Sequence, residues 1–336
     1  MNDTSPPTDP PLLRLRELSK HFPVRKGVLS KTVAVLKAVD GVSFDIARGE
    51  TLGLVGESGC GKTTLGRSLL RLMEPTAGQI LFDGVDILGA NKKHLRQLRQ
   101  RMQIIFQDPY ASLNPRLTVA NLIGESIRAH GLARGAQYDQ RLNELLEIVG
   151  LSKRYLNRYP HEFSGGQRQR IGIARALALQ PDFIVCDEAV SALDVSIQAQ
   201  IINLLRSLQR DLGLTYLFIS HDLNVVRHLA HRIAVMYLGK LVEVGPTEAI
   251  FNAPRHPYTR ALIAANPVPD PDSKVGLSIL EGDVPSPLDP PTGCAFHPRC
   301  AQVMPHCKVQ MPAMTADSSA SVQHRVWCHL HGSEKT

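Results

Sequence analysis

The segment "TLGLVGESGCGKTTLGRSLLRLM" (51–73) constrains the fold of this chain more than any other. A short apolar run enters a glycine-rich turn, and a stretch with helical apolar spacing follows it. Strand, turn and helix in that order are the context in which G-x-x-x-x-G-K-[ST] becomes a phosphate-binding loop. Gly56, Glu57, Ser58, Gly59, Cys60, Gly61, Lys62, Thr63 and Thr64 make up the pattern. Glycines let backbone N–H groups turn inward toward phosphate oxygens. The helix N-terminus adds its dipole, and Lys62 adds a charge. The Thr63 hydroxyl suits Mg²⁺.

The rest of the chain extends this reading. "LLRLRELSKHF" and "LKAVDGVSFDI" alternate apolar and polar residues, which predicts antiparallel strands with one buried face; "QILFDGVDI" predicts a hairpin. From about Asp108 to Phe163 the pattern turns helical. "DFIVCDE" and "LTYLFISHD" are continuous apolar strands, each followed by a helical stretch. Buried strands alternating with helices imply an α/β fold with a mostly parallel sheet. Residues 1–11 read as disordered, and 266–292 as a proline-rich linker.

Two acids follow "FIVC". Asp187, at the strand end, is placed to hold Mg²⁺ through water. Glu188 points elsewhere, because side chains alternate along a strand, and suits a general base for the attacking water. "FSGGQRQRIGIARAL" begins with Ser164 as an N-cap, and Gly165, Gly166 and Gln167 open a long amphipathic helix. This is a second anion site in one chain. A nucleotide already held by its own cradle needs no such site, so the helix start has most use on the nucleotide of another subunit.

These motifs resemble those of ABC ATPases. The resemblance implies a P-loop ABC ATPase at 12–250, with a mostly parallel sheet core, an antiparallel β subdomain and a helical subdomain at about 108–165. A small C-terminal extension follows at 251–336. It further implies that Gln107 in "FQDP" reads Mg²⁺ and contacts the membrane partner. Asp194 in "SALD" would cross the dimer interface, and His221 in "FISHD" would contact the γ-phosphate. Phe22 lies where the family stacks adenine, with a core role as its alternative. Two such domains would close head to tail on two ATP molecules and reopen on hydrolysis.

"FQDPYASLNPR", "DEAVSALDVSIQAQ" and "HPYTRALIAANP" narrow the resemblance to the ATPases of oligopeptide and dipeptide importers, F-type rather than D-type. The implied partners are two permeases, a second related ATPase and an extracytoplasmic solute-binding protein. Nickel and other small-solute importers share these phrases, so another solute is the alternative to peptide. A cytosolic non-transport ATPase is the more distant one; such chains usually carry two nucleotide domains or long heptad insertions. The net charge of +7 reads as a solvated basic surface, without a Lys/Arg block that would suit nucleic acid. No leader-like segment and no bilayer-length apolar run stand out, so the expected location is the cytoplasmic face of the membrane, held there by partners.

Six cysteines remain. Cys60 and Cys186 read as structural thiols. Cys294, Cys300, Cys307 and Cys328 gather in a proline-rich tail. Disulfides are disfavoured in a reducing compartment, which points to a metal staple. The gaps are wider than the usual zinc step. A [4Fe–4S] cluster on four thiolates tolerates them, and the family resemblance favours it. Zinc, with His297 or His306 substituting, and free thiols are the alternatives.

Overall fold

The computed structural model describes residues 10–26, 31–265, 282–316 and 324–332. The expected disorder of residues 1–9 and the linker over 266–281 therefore fall outside the described residues.

The strands, in chain order, are β1 (Leu13–Lys26), β2 (Lys31–Ile46), β3 (Thr51–Val55), β4 (Ala77–Phe82), β5 (Val85–Asp86) and β6 (Met102–Ile105). They continue as β7 (Phe183–Asp187), β8 (Thr215–Ser220), β9 (Arg232–Tyr237), β10 (Lys240–Pro246), β11 (Met314–Ala316) and β12 (Arg325–Trp327). The first α-helices are α1 (Lys62–Leu69), α2 (Lys92–Arg101), α3 (Pro109–Ser112), α4 (Val119–His130) and α5 (Ala136–Ile148). The others are α6 (Gly165–Leu177), α7 (Val195–Leu212), α8 (Leu223–Leu229), α9 (Thr247–Asn252) and α10 (Pro257–Ala264). The chain divides into two compact units: one spans 1–47, 51–88 and 220–336, the other 48–50 and 89–219.

In the first unit, β2-β1-β4-β5 form an antiparallel sheet. Leu13 and Leu15 alternate into the core as the sequence predicts. A register shift between Leu15 and Leu18, with Glu17 at φ 47°, then brings Leu18 back to the buried face. A second sheet runs β11-β12-β10-β9-β3. Only β3 and β9 are parallel here. Leu238 and Gly239, both at positive φ, make the tight β9–β10 turn. Gly53 has no room for a Cβ, which would lie 2.3 Å from Val226 Cγ1, so α8 packs closely on β3. The described tail residues cluster within this unit, and β12 pairs with β10 (Glu243↔Val326, Val244↔Arg325).

In the second unit, β6, β7 and β8 are parallel, and β7 and β8 are buried along their whole length. That matches their continuous apolar sequence. Helices α2 to α7 surround them in sequence. Helix α6 buries Ile171, Ile173, Ala174 and Leu177. Among the described residues, no helix is long and apolar enough to cross a membrane.

Candidate active site

The phosphate loop leaves β3 at Gly56, whose φ is 154° and whose Cβ would lie 2.2 Å from Met236 O. Gly61 closes it at φ 107°, where a Cβ would lie 1.9 Å from Ala38 O. Only glycine fits either position, so the loop presents bare backbone, as a phosphate cradle requires. Lys62 is 4% exposed, and its Nζ donates to Gly56 O at 2.7 Å and Glu57 O at 3.0 Å. The Cys60 Sγ is 3.8 Å from Nζ; burial pushes this thiol's pKa up, against the pull of Lys62. Ser58 and Gly59 are exposed, while Thr63 and Thr64 are half-buried on the first turn of α1. The Glu57 N–H donates to the Tyr258 hydroxyl at 2.9 Å, and its carboxylate receives Arg299. Phe22 is half-buried on β1, with Lys20 Nζ 4.8 Å from its ring centroid, and does not belong to the core. His221 is exposed just after β8, and Asp222 beside it caps α8.

In the second unit, Asp187 ends β7 and is 1% exposed. Glu188 follows in the left-handed region, at φ 49°. For a residue with a side chain this is a strained conformation, and it is held from three directions. The Glu188 N–H donates to Ile219 O at 3.1 Å, and both the N–H and the hydroxyl of Ser191 donate to Glu188 O. Gln107 Nε2 donates to Glu188 Oε2 at 2.8 Å. Two candidates 81 positions apart thus share one hydrogen bond, which aims the carboxylate.

The helix start at Ser164 is also built as a device. Ser164 Oγ accepts from Gln167 N at 3.4 Å, and Gln167 Oε1 accepts from Ser164 N at 3.1 Å, a reciprocal cap. Ser164 and Gly165 are exposed. Gly166 is buried, and a Cβ there would lie 2.4 Å from Ile197 Cγ2. It therefore serves helix packing against α7, a role its sequence context did not suggest. Ser191, Asp194 and Val195 are exposed as well, Val195 by 82%.

Cys294, Cys300, Cys307 and Cys328 line one small cavity together with His256, Phe296, His297 and Met304. Burial raises the pKa of the Cys294 and Cys300 thiols and pushes Cys328 up to about 11. Four sulfurs lining one cavity form a donor set that fits a bound metal centre. A ring nitrogen of His306, Cys307 Sγ and a ring nitrogen of His329 also lie within 4.8 Å of one another. His329 Nε2 is 2.9 Å from Gln310 O, which leaves Nδ1 as its lone pair.

Tyr258 of the "HPYTRALIAANP" segment and two residues that the sequence did not single out, Glu243 and Arg299, complete the surroundings. Glu243 is fully buried and accepts from Arg255 N at 2.7 Å and His256 N at 2.9 Å, while His324 Nε2 lies 2.7 Å from its carboxylate. Desolvation opposes the charge on Glu243, but these bonds together hold its pKa below the usual carboxylate range. A lone Glu inside a β-run such as "KLVEVGP" is a weak signal of this role.

Comparisons with known proteins point to one family. The family profile described as "ABC transporter" matches residues 39–191, and "Oligopeptide/dipeptide transporter, C-terminal region" matches 242–307. A relative in Brucella ovis is 55% identical over 91% of this chain and 95% of its own. The oligopeptide transport ATP-binding protein AppF of Bacillus subtilis is 51% identical over 95% of this chain and 97% of its own. Among solved structures, the ATP-binding cassette MJ0796, dimeric in a post-hydrolysis state with ADP and Pi, matches with a TM-score of 0.62 and 28% identity. That match covers 70% of this chain and 98% of MJ0796.

Proposed function

Because this chain belongs to the ATP-hydrolysing subunits of ABC transporters, we propose that it powers the import of di- and oligopeptides, working peripherally at the cytoplasmic face of the membrane. The observation that carries the peptide reading is the matched C-terminal region, 242–307, which is built into the motor: its Tyr258 hydroxyl receives the N–H of Glu57 in the phosphate loop.

ATP is the substrate, and a bound Mg²⁺ would neutralise its phosphate oxygens. Lys62 would exchange the Gly56 and Glu57 carbonyls for those oxygens. Thr63 and Asp187 would hold the metal. Glu188 takes the proton of the attacking water, with Gln107 fixing the carboxylate through its 2.8 Å bond. His221 steadies the terminal phosphate, and Phe22 stacks on adenine. The start of α6, at Ser164–Gln167 with Ser164 and Gly165 exposed, grips the nucleotide of a second ATPase, and Asp194 lies at that interface. Closure on ATP and reopening after hydrolysis drive two separate permeases, fed by an extracytoplasmic solute-binding protein. Reconstitution with copurified permeases tests this: peptides should stimulate ATP turnover. Stimulation by nickel or another small solute instead would replace peptide as the substrate.

We further propose that Cys294, Cys300, Cys307 and Cys328 hold one [4Fe–4S] cluster; their shared cavity supports this reading. Anaerobic purification should give brown protein containing iron and sulfide, and colourless, iron-free protein would reject the cluster. The spacing of His306, Cys307 and His329 favours a zinc site as the second reading. Zinc without iron, lost in His306→Ala, would select it.

A further inference from the structure

The phosphate loop and the cysteine-rich tail meet at a residue pair 242 positions apart. Arg299 Nη1 donates to Glu57 Oε2 at 2.7 Å, and Nη2 donates to Oε1 at 3.0 Å. Two parallel bonds of this kind fix direction as well as distance. The Arg299 side chain is 5% exposed and that of Glu57 23%, so water screens the pair only in part.

Glu57 is held at three points. Its carboxylate binds Arg299, its N–H donates to Tyr258 Oη, and its carbonyl accepts from Lys62 Nζ. The first two grips come from outside the loop, and they are joined to each other, since Phe296, whose carbonyl accepts from Arg299 N at 3.0 Å, packs on Tyr258 with ring centroids 5.3 Å apart. Arg299 is placed by a short turn among the thiols. His297 N donates to Cys294 O, Arg299 N to Phe296 O and Cys300 N to His297 O. Whatever repositions Cys294 or Cys300 therefore repositions Arg299.

We propose that Arg299 is a positioning residue for the phosphate loop, and that the four-thiol site sets nucleotide affinity through it. Lys62 must give up the Gly56 and Glu57 carbonyls to reach phosphate oxygens. A loop pinned at Glu57 keeps its remaining backbone groups in place during that exchange, which lowers the ordering cost of binding. Glu188 and Gln107 take no part in the latch, so it acts on binding and not on the proton transfer. The coupling to the thiols rests on the proposed reading of that site as metal-holding; the positioning role does not.

The test is titration of MgADP into the full-length parent, Arg299→Gln, Arg299→Lys, Glu57→Gln, Cys300→Ser and the Arg299→Gln/Cys300→Ser double variant. Arg299→Gln and Glu57→Gln should each raise Kd by at least ~fivefold, the lower end of ordinary site-to-site coupling. Arg299→Lys, which keeps the charge but loses the fork, should fall between them and the parent. In the reconstituted transporter carrying Arg299→Gln, KM should rise while kcat at saturating ATP holds, a split that general loosening of the fold would not give. Glu57→Gln leaves the tail sequence intact, so misfolding of the tail would spare it. Cys300→Ser should weaken binding in the parent and add nothing to Arg299→Gln. Parent-like affinity in both Arg299→Gln and Glu57→Gln overturns the positioning role. A full additional effect of Cys300→Ser on Arg299→Gln overturns the coupling. Iron and zinc assays on the same samples judge the metal reading separately. Metal-free parent protein rejects that reading and the coupling with it, while the Arg299 and Glu57 titrations still decide the positioning role.

Discussion

Glu188 illustrates how much at this site depends on single residues. Its left-handed backbone is strained, and the Gln107 bond then orients its acid. Glu188→Gln should keep nucleotide binding and lose ATP turnover by about 10²–10⁴-fold, the usual share of a general base; turnover near the parent's would remove Glu188 from that role. Gly166 makes a different prediction. An added methyl 2.4 Å from Ile197 Cγ2 overpacks the α6–α7 contact, so Gly166→Ala should lose about 1–3 kcal/mol. Thermal melts would show this, and Ile197→Ala in the same chain should restore part of the loss. An unchanged Tm in Gly166→Ala would refute the packing role. The sequence made the chemistry of Glu188, Lys62 and Gln107 legible, because those residue types at that spacing have few other uses. It hid the strain at Glu188 and the packing at Gly166, since neither a φ angle nor a neighbour on another helix leaves a local mark.

At the scale of elements, the start of α10 is pH-sensitive. His256 Nδ1 accepts from Tyr258 N at 3.0 Å, capping the helix whose Tyr258 supports the phosphate loop. Burial lowers the His256 pKa to about 4 from an ordinary 6.5. Above pH 6.5 the ring is neutral in both folded and unfolded chains, and stability is full. As pH falls from 6.5 toward 4, only the unfolded chain takes up the proton, so stability is lost through that window, by about 3 kcal/mol at most. His256→Asn keeps a capping acceptor without a titration. Its Tm should fall less than the parent's between pH 6.5 and 4, and parallel curves would contradict the assignment. The long amphipathic helices were readable from periodicity, and the strands before acidic motifs from continuous apolar runs. β9 and β10 went unread: "RIAVMYLGKLVEVG" is likewise buried without alternation, and no acidic motif follows it to mark a strand end. The partnership of β10 with β12 depends on residues some 80 positions apart, and no local pattern encodes that register.

At the scale of the whole molecule, the C-terminal region is structural support for the motor. Ending the chain after Ala265 would remove β12 from the edge of β10 and His324 from Glu243, which is fully buried. A buried carboxylate that loses a hydrogen-bond partner costs about 1–3 kcal/mol, and an open strand edge invites association between chains. The truncated protein should melt lower and elute as aggregate in size-exclusion chromatography; a monodisperse product with the parent's Tm would show that the cradle stands without the tail. Arg299, His324 and β12 also leave the ribosome long after the phosphate loop they support, Arg299 by 242 positions. The phosphate loop is translated first, and its props at Tyr258 and Arg299 follow it. A nascent chain therefore carries the complete ATP-binding motif before its supports are in place, and until β12 arrives the edge of β10 is open to association with other chains.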